Sequence, residues 1–364
     1  MYIKNLILKN YRNYSDERFE FSNGINILIG NNAQGKTNCA EAIFYLCSGY
    51  SPRVARDKQV VKYGENKAIV IGSAESNFGN VEVSIEFSST SAKSIKVNGT
   101  PIKKIGELMG NINAVFFNPD DLKLIKESPD DRRRFMDVSL SQMSRRYFYA
   151  LKKYKNILDE RNSLLKNSSV EEIEEVVKMW NEQLMQQAKI IENGRLEFLK
   201  SLAPKAQKMH AFLTDGKEEL QIIPEMKCLK DGVFEDEFYL NSMAERLQKD
   251  IILGYTTLGP HRDDLKITLN GEDVRTFGSQ GQQRTASLSL KLAELEIFKE
   301  KFNEYPVFIL DDALSELDVL RRKRLLEMLN GKQTIITSTE LFDKLPTDNS
   351  VSVISIENGK IIRR

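Results

Sequence analysis

Ile25-Asn26-Ile27-Leu28-Ile29 runs directly into Gly30-Asn31-Asn32-Ala33-Gln34-Gly35-Lys36-Thr37. A short apolar strand therefore enters a loop with the spacing G-x-x-x-x-G-K-[ST]. The pattern alone recurs by chance, so its surroundings decide its meaning. Asn38–Leu46 follows, with Ala40, Ile43, Phe44 and Cys47 on one side of a predicted helix. Strand, glycine loop and helix form the arrangement that cradles phosphate. Glycines let backbone N–H groups turn inward, and the helix N-terminus adds partial positive charge. In that reading Lys36 reaches the β- and γ-phosphates of ATP and Thr37 ligates Mg²⁺. The plain alternative is a glycine turn with an exposed lysine.

Far along the chain, Val307-Phe308-Ile309-Leu310 ends in Asp311-Asp312. A buried parallel strand delivers groups at its C-terminal end, where ligands of such sheets bind. Asp311 is expected to hold Mg²⁺, and Asp312 to orient or deprotonate an attacking water. An Asp-rich turn after a strand is the competing reading. Between the two motifs, Phe277-Gly278-Ser279-Gln280-Gly281-Gln282-Gln283 precedes a helix predicted over Arg284–Lys299. Ser279, Gly281 and Gln282 form either a second anion cradle or an ordinary helix cap with Ser279 as the capping residue.

The rest of the chain fits around these motifs. Strands are predicted at 2–9, 81–87, 94–97, 101–103, 265–269, 307–310, 334–337 and 351–356, with turns at Asn98-Gly99 and Asn270-Gly271. From Asp131 the apolar spacing becomes helical, as in Tyr147, Leu151, Tyr154 and Leu158. A second helical run starts at Val170 and is expected to stop near Leu202, before Pro204. The polar stretch 214–236 reads as a linker. The expected fold class is α/β: an ATPase head with mixed sheets and helices, carrying an inserted, mainly helical lobe. The head comprises 1–128 and 256–364, and the lobe 129–255.

Composition sets limits. Lys and Arg number 53 against 52 Asp and Glu, a net charge of +1, so nucleic-acid affinity requires a local basic surface. Cys39, Cys47 and Cys228 have no paired spacing, and His210 and His261 are too few for a zinc site. The N-terminus lacks a signal-peptide pattern, and no stretch approaches the roughly 18 apolar residues of a membrane span. A cytoplasmic protein without membrane contact is expected.

Several longer runs point to one family. They are Leu8-Lys9-Asn10-Tyr11-Arg12-Asn13-Tyr14, Gly30–Thr37 with Asn38, Phe117-Asn118-Pro119-Asp120-Asp121-Leu122, and Pro129 with Arg132-Arg133-Arg134-Phe135-Met136-Asp137. Thr257-Leu258-Gly259-Pro260-His261-Arg262-Asp263-Asp264-Leu265, Ser279–Gln282 and Asp311–Asp318 complete the set. Through them the sequence resembles the RecF family of bacterial recombination and gap-repair proteins, in the SMC-like branch of the ABC ATPases. The resemblance implies a two-lobed head, weak DNA-stimulated ATP hydrolysis, and an ATP-dependent homodimer on double-stranded DNA or single/double-strand junctions. It implies work with RecR, with RecO in the same pathway, and indirectly with RecA, in DNA replication, repair and the SOS response. It also brings Arg12 and Asn13 towards the nucleotide, and Arg53 and Arg56 towards phosphate or DNA. In the ABC class the serine turn of one subunit faces the phosphate loop of the other, so Ser279 counts among the catalytic residues with Lys36, Asp311 and Asp312. Two departures stand out: Asp312 occupies the place of a catalytic Glu, and Thr337-Ser338-Thr339 that of a switch histidine.

Arg132, Arg133, Arg134, Arg145, Arg146, Lys152, Lys153 and Lys155 gather basic charge at the start of the lobe. They read as a DNA surface or as a solvated face balanced by Asp130, Asp131 and Asp137. Tyr147, Phe148 and Tyr149 fit a core better than base stacking. His261 and Arg262 either pair with Asp263 or Asp264 or serve the nucleotide or lobe interface. A transporter ATPase subunit would lack the long Arg-rich insertion. A larger SMC-type machine needs arms, whereas the longest helical run, read as about 36 residues, spans roughly 50 Å. A P-loop metabolite kinase has no use for the second cradle.

Overall fold

Val81, Val83, Ile85 and Phe87 are buried within Gly79–Ser88 and alternate with polar neighbours, which is the period-two pattern of a half-buried strand. This strand belongs to an antiparallel sheet in the order 16–20, 2–9, 67–76, 79–88, 94–97, 100–101. Asn98 and Gly99 have φ of 49° and 75°, the pair of positive values a tight hairpin turn demands. The return strand is Thr100–Pro101, earlier and shorter than expected, because Pro101 has no N–H to extend pairing and sits at an edge.

The structure, a computed structural model, describes residues 1–53, 56–340 and 351–362. Residues 341–350 and 363–364 of the expected C-terminal head segment lie outside them. The chain forms two compact units: 1–122, 205–218 and 280–364 in the first, 123–204 and 219–279 in the second. The first holds a further sheet, ordered 360–362, 352–357, 25–29, 334–338, 307–311, 114–117. Five of these strands are parallel, and only 360–362 runs against its neighbour. Every residue of Val307–Asp311 and Thr334–Ser338 is buried, as expected of strands covered on both faces.

The second unit combines helices with a three-stranded sheet, ordered 272–273, 264–269, 220–225. The strand Asp264–Leu269, expected among the head strands, thus pairs here with Leu220–Glu225. That partner lies inside the stretch read as a linker; its alternation is short and Pro224 masks it. The helix starting at Val170 passes through Pro204 and ends at Thr214, 45 residues or roughly 68 Å long. Proline removes one hydrogen bond, and burial of Leu199, Leu202, Ala206 and Leu213 offsets that loss.

Several buried charges inside the second unit are paired. Arg161 and Asp250, both 0% exposed, meet at 2.9 Å, and Arg161 also donates to Asn181 and Thr256. Removing one partner leaves the other buried and uncompensated. Asp250→Leu is therefore expected to destabilise the protein by about 3–5 kcal/mol, read from chemical denaturation. Replacing Arg161 and Asp250 together with apolar residues is expected to recover much of that loss.

Candidate nucleotide site

The strand Ile25–Ile29 delivers the glycine loop, and the helix Lys36–Ser48 leaves it. Two glycines are required by the space around them. A Cβ on Gly30 would lie 2.2 Å from the Ile356 carbonyl oxygen. Gly35 has φ of 119°, and a Cβ there would meet Asn13 and Tyr14 at 2.8 Å. The loop is braced on two sides. Asn13 Nδ2 donates to the Gln34 carbonyl at 2.9 Å, and Tyr14 Oη to the Gly35 carbonyl at 2.9 Å. The turn after Ser352–Glu357 supports it too: Asn358 N donates to Gln34 Oε1 and Gly359 N to Gln34 O. Sequence reasoning missed this second brace, for which only the Asn358-Gly359 dipeptide gave a signal.

Lys36, only 7% exposed, folds back so that Nζ donates to the carbonyls of Gly30 at 2.6 Å and Asn31 at 2.8 Å. Burial lowers its pKa, opposed by the charges of Asp312 and Asp311. Thr37 Oγ1 donates to Asp311 Oδ1 at 2.8 Å, and Thr337 Oγ1 does so at 2.7 Å. Burial pushes the Asp311 carboxyl above the ordinary carboxylate range, while both threonine hydroxyls oppose it. A hydroxyl and a carboxylate held together are the hard oxygen donors that Mg²⁺ takes, and a cation there would offset the cost of burying Asp311.

Asp312 is exposed, with φ of 53°, at the point where the strand ends. Its backbone N–H donates to Thr337 Oγ1 at 2.9 Å, and Ser315 Oγ donates to its carbonyl at 3.1 Å. Thr337, standing where a switch histidine was expected, thus fixes the backbone carrying both carboxylates. A polar pocket of about 170 Å³ lies over Asn32–Asn38, with Arg53, Asp312 and Thr337 completing its lining. A phosphate oxygen there would find Lys36, the loop N–H groups and the helix N-terminus. The site fits a polyphosphate with a hard divalent cation.

The other expected site residues are placed differently. Asn13 donates to the loop and accepts from Asn38 Nδ2 at 2.9 Å; Asn38 in turn accepts from Arg53 Nη1 at 3.3 Å. Arg12 instead makes a two-pronged ion pair with the fully buried Glu41, at 2.8 and 2.7 Å. Arg56 is exposed, outside the pocket lining. Ser279 is exposed immediately before the helix Gln280–Phe302, the position of a cap. Gly281 and Gln282 belong to the first unit, yet neither lines the pocket.

The basic cluster divides. Arg132 is buried on Asp264, at 2.5 and 2.9 Å, and Arg133 donates to the Asp263 carbonyl and to Asp130. These two arginines hold the second unit together. Arg134, Arg145, Arg146, Lys152, Lys153 and Lys155 are exposed. Tyr147 is buried and donates to Asp137, whereas Tyr149 is partly exposed. Asp263 pairs with Arg195 at 2.7 Å, so neither Asp263 nor Asp264 waits for His261 or Arg262. His261 bonds Tyr154 Oη and the Thr256 carbonyl, and burial holds it down at about 4, hence neutral near pH 7. Within the Gly-Pro-His-Arg-Asp-Asp run, Gly259, Pro260 and Asp263 are buried in the second unit, while Arg262 is exposed.

Glycine loop, paired carboxylates on a parallel strand and a serine turn opening a helix define an ATPase head of the SMC type. The family description "RecF/RecN/SMC N terminal domain" matches residues 2–361. The "DNA replication and repair protein RecF" of Ruminiclostridium cellulolyticum is 43% identical over 99% of both chains, and that of Clostridium novyi 42% identical over 99% of both. The chain belongs to the RecF family of DNA replication and repair proteins. A solved structure titled "recombination mediator protein RecF-ATP in RecFOR pathway" superposes with TM-score 0.90 at 35% identity, covering 100% of this chain and 97% of the other. An SMC head bound to the C-winged helix domain of ScpA matches at TM-score 0.59 and 17% identity, covering 100% and 98%; this is a likeness of fold alone. Among the described residues no helix is long and apolar enough to cross a membrane.

Proposed function

We propose that this chain binds ATP with Mg²⁺ and pairs head to head with a second copy on duplex DNA. Slow hydrolysis then releases the pair. The cycle serves RecA loading at single-strand gaps, together with RecR and RecO. The observation that carries this reading is a division of labour within one chain. Lys36, Thr37, Asp311 and Asp312 converge at one pocket, while the anion-holding turn Ser279–Gln282 includes Gly281 and Gln282 outside its lining. A symmetric pair brings each turn to the other copy's pocket and closes without open-ended growth. The relatives support the nucleotide, since the solved RecF structure described above is of RecF-ATP.

In the bound state Mg²⁺ supplies charge neutralisation at the phosphates. Lys36 exchanges two backbone carbonyls for phosphate oxygens, Thr37 and Asp311 give oxygen donors, and Asp312 holds a water for attack. With an aspartate there and no switch histidine, the chain is suited to a timer more than to rapid turnover. The exposed Arg134, Arg146, Lys152, Lys153 and Lys155 are candidates for phosphate contacts, whose strength falls with salt.

The test is molar mass by light scattering without nucleotide, with ADP and with ATP plus Mg²⁺, followed by duplex binding across a salt series. Mass is expected to double with ATP alone, and DNA binding to tighten in the same samples. A monomer that hydrolyses ATP and ignores DNA would overturn the reading.

A further inference from the structure

We propose that Glu218 and His210 are positioning residues for the serine turn: they fix the Gln282 side chain, and with it the first turns of the helix Gln280–Phe302. The proposal rests on the reading that this turn acts on nucleotide held by a second copy.

Gln282 Nε2 donates to Glu218 Oε1 at 3.1 Å. The other carboxylate oxygen, Oε2, lies 3.0 Å from His210 Nε2, which must donate because a carboxylate can only accept. His210 Nδ1 lies 3.1 Å from Ser289 Oγ. The chain of bonds thus leaves the helix at Gln282 and returns to it at Ser289. Those positions are seven apart, two turns along one face. Within that interval Thr285 Oγ1 donates to the Gly281 carbonyl at 2.7 Å, and Ser289 Oγ, 2.6 Å from the Thr285 carbonyl, carries the single proton that can turn either to that oxygen or to His210 Nδ1.

His210 is 0% exposed. Burying an imidazole is unfavourable unless both nitrogens find partners, and here each has one, Glu218 and Ser289. An apolar side chain would fill the space without that requirement, but it could not hold Glu218 in line. Glu218 in turn gives Gln282 a charged acceptor, stronger and more directional than water. Without it, the Gln282 amide loses its charged acceptor, and the helix N-terminus loses a lateral tie. The arrangement sets a geometry that the second copy's phosphates must meet, which is pre-organisation of a charge-stabilising group by residues that never touch the nucleotide.

The experiment compares full-length wild type, Glu218→Gln, Gln282→Leu and the double variant, with His210→Gln as a second route. Glu218→Gln keeps the shape but cannot accept from both neighbours at once. Its ATP turnover is expected to fall about tenfold, a size typical of groups acting through others. Nucleotide affinity of the monomer and the thermal midpoint should stay at wild-type values. The double variant should be no slower than the slower single variant, because both changes remove one linkage. Wild-type turnover in Glu218→Gln, additive losses, or a rate loss that tracks a lowered midpoint would overturn the proposal. Ser279→Arg in the same series separates the two ideas. If Ser279→Arg abolishes hydrolysis while Glu218→Gln does not, only the positioning role fails; if Ser279→Arg hydrolyses normally, the paired-copy reading fails.

Discussion

Asp312→Asn is expected to bind ATP normally and to lower turnover by about two to four orders of magnitude. The substitution keeps the side chain's shape and one acceptor oxygen, but removes the charge and basicity that would orient and deprotonate water. The left-handed backbone at Asp312, with φ of 53°, turns it out of the buried strand and towards the pocket. Asp311 remains on Thr37 and Thr337, so the cation's donors persist. Since hydrolysis is the proposed release step, the variant should stay as an ATP-bound pair on duplex DNA. Phosphate release together with light scattering checks both parts. Near-wild-type turnover would mean that the water is held by some other group.

Ser279→Arg is expected to lose turnover by about a hundredfold or more, comparable to removing a group that stabilises developing charge. An arginine at the helix start crowds the place where an anion would sit and adds side-chain bulk to the turn. The pocket of the same chain is untouched, so the isolated monomer should keep its ATP affinity. Mixing Ser279→Arg with Lys36→Met makes the experiment decisive. Each variant alone lacks one half of every site, but a mixed pair holds one site with an intact loop and an intact turn. Partial recovery of hydrolysis on mixing requires action between copies. Loss of nucleotide binding by the Ser279→Arg monomer would sink the paired arrangement.

The parts of the site that sequence reveals are those whose chemistry depends on neighbours in sequence. Gly30, Gly35, Lys36 and Thr37 are fixed by a strand-to-helix turn, and Asp311-Asp312 by the end of an apolar run; the structure brings both to one pocket. Contacts across long separations left no local mark. Glu41 reads as an ordinary helix residue until Arg12 is seen against it, and that pair ties Arg12 to the helix that leaves the glycine loop. Arg132 and Arg133 have the composition of a DNA surface, yet Asp264, Asp130 and the Asp263 carbonyl claim them. Charge density in sequence does not distinguish a solvated arginine from one buried on a partner 130 residues away. The Pro204 reading failed for a different reason. Apolar positions continue beyond Pro204, and their packing outweighs the proline's local effect.

The strand that carries the phosphate loop lies between Thr334–Ser338 and Ser352–Glu357. Its motif leaves the ribosome long before the strands that flank it. Parallel pairing between such distant segments is slow to form and cannot begin until both exist. Until then Ile25–Ile29 is an apolar segment without neighbours, a natural client for chaperones. A chain stalled short of Thr334 carries the whole loop sequence but lacks the sheet that holds it. Translation must therefore pass Ser352–Glu357 before the loop is held in its sheet, and copies stalled earlier are kept out of the proposed ATP-dependent cycle by topology alone.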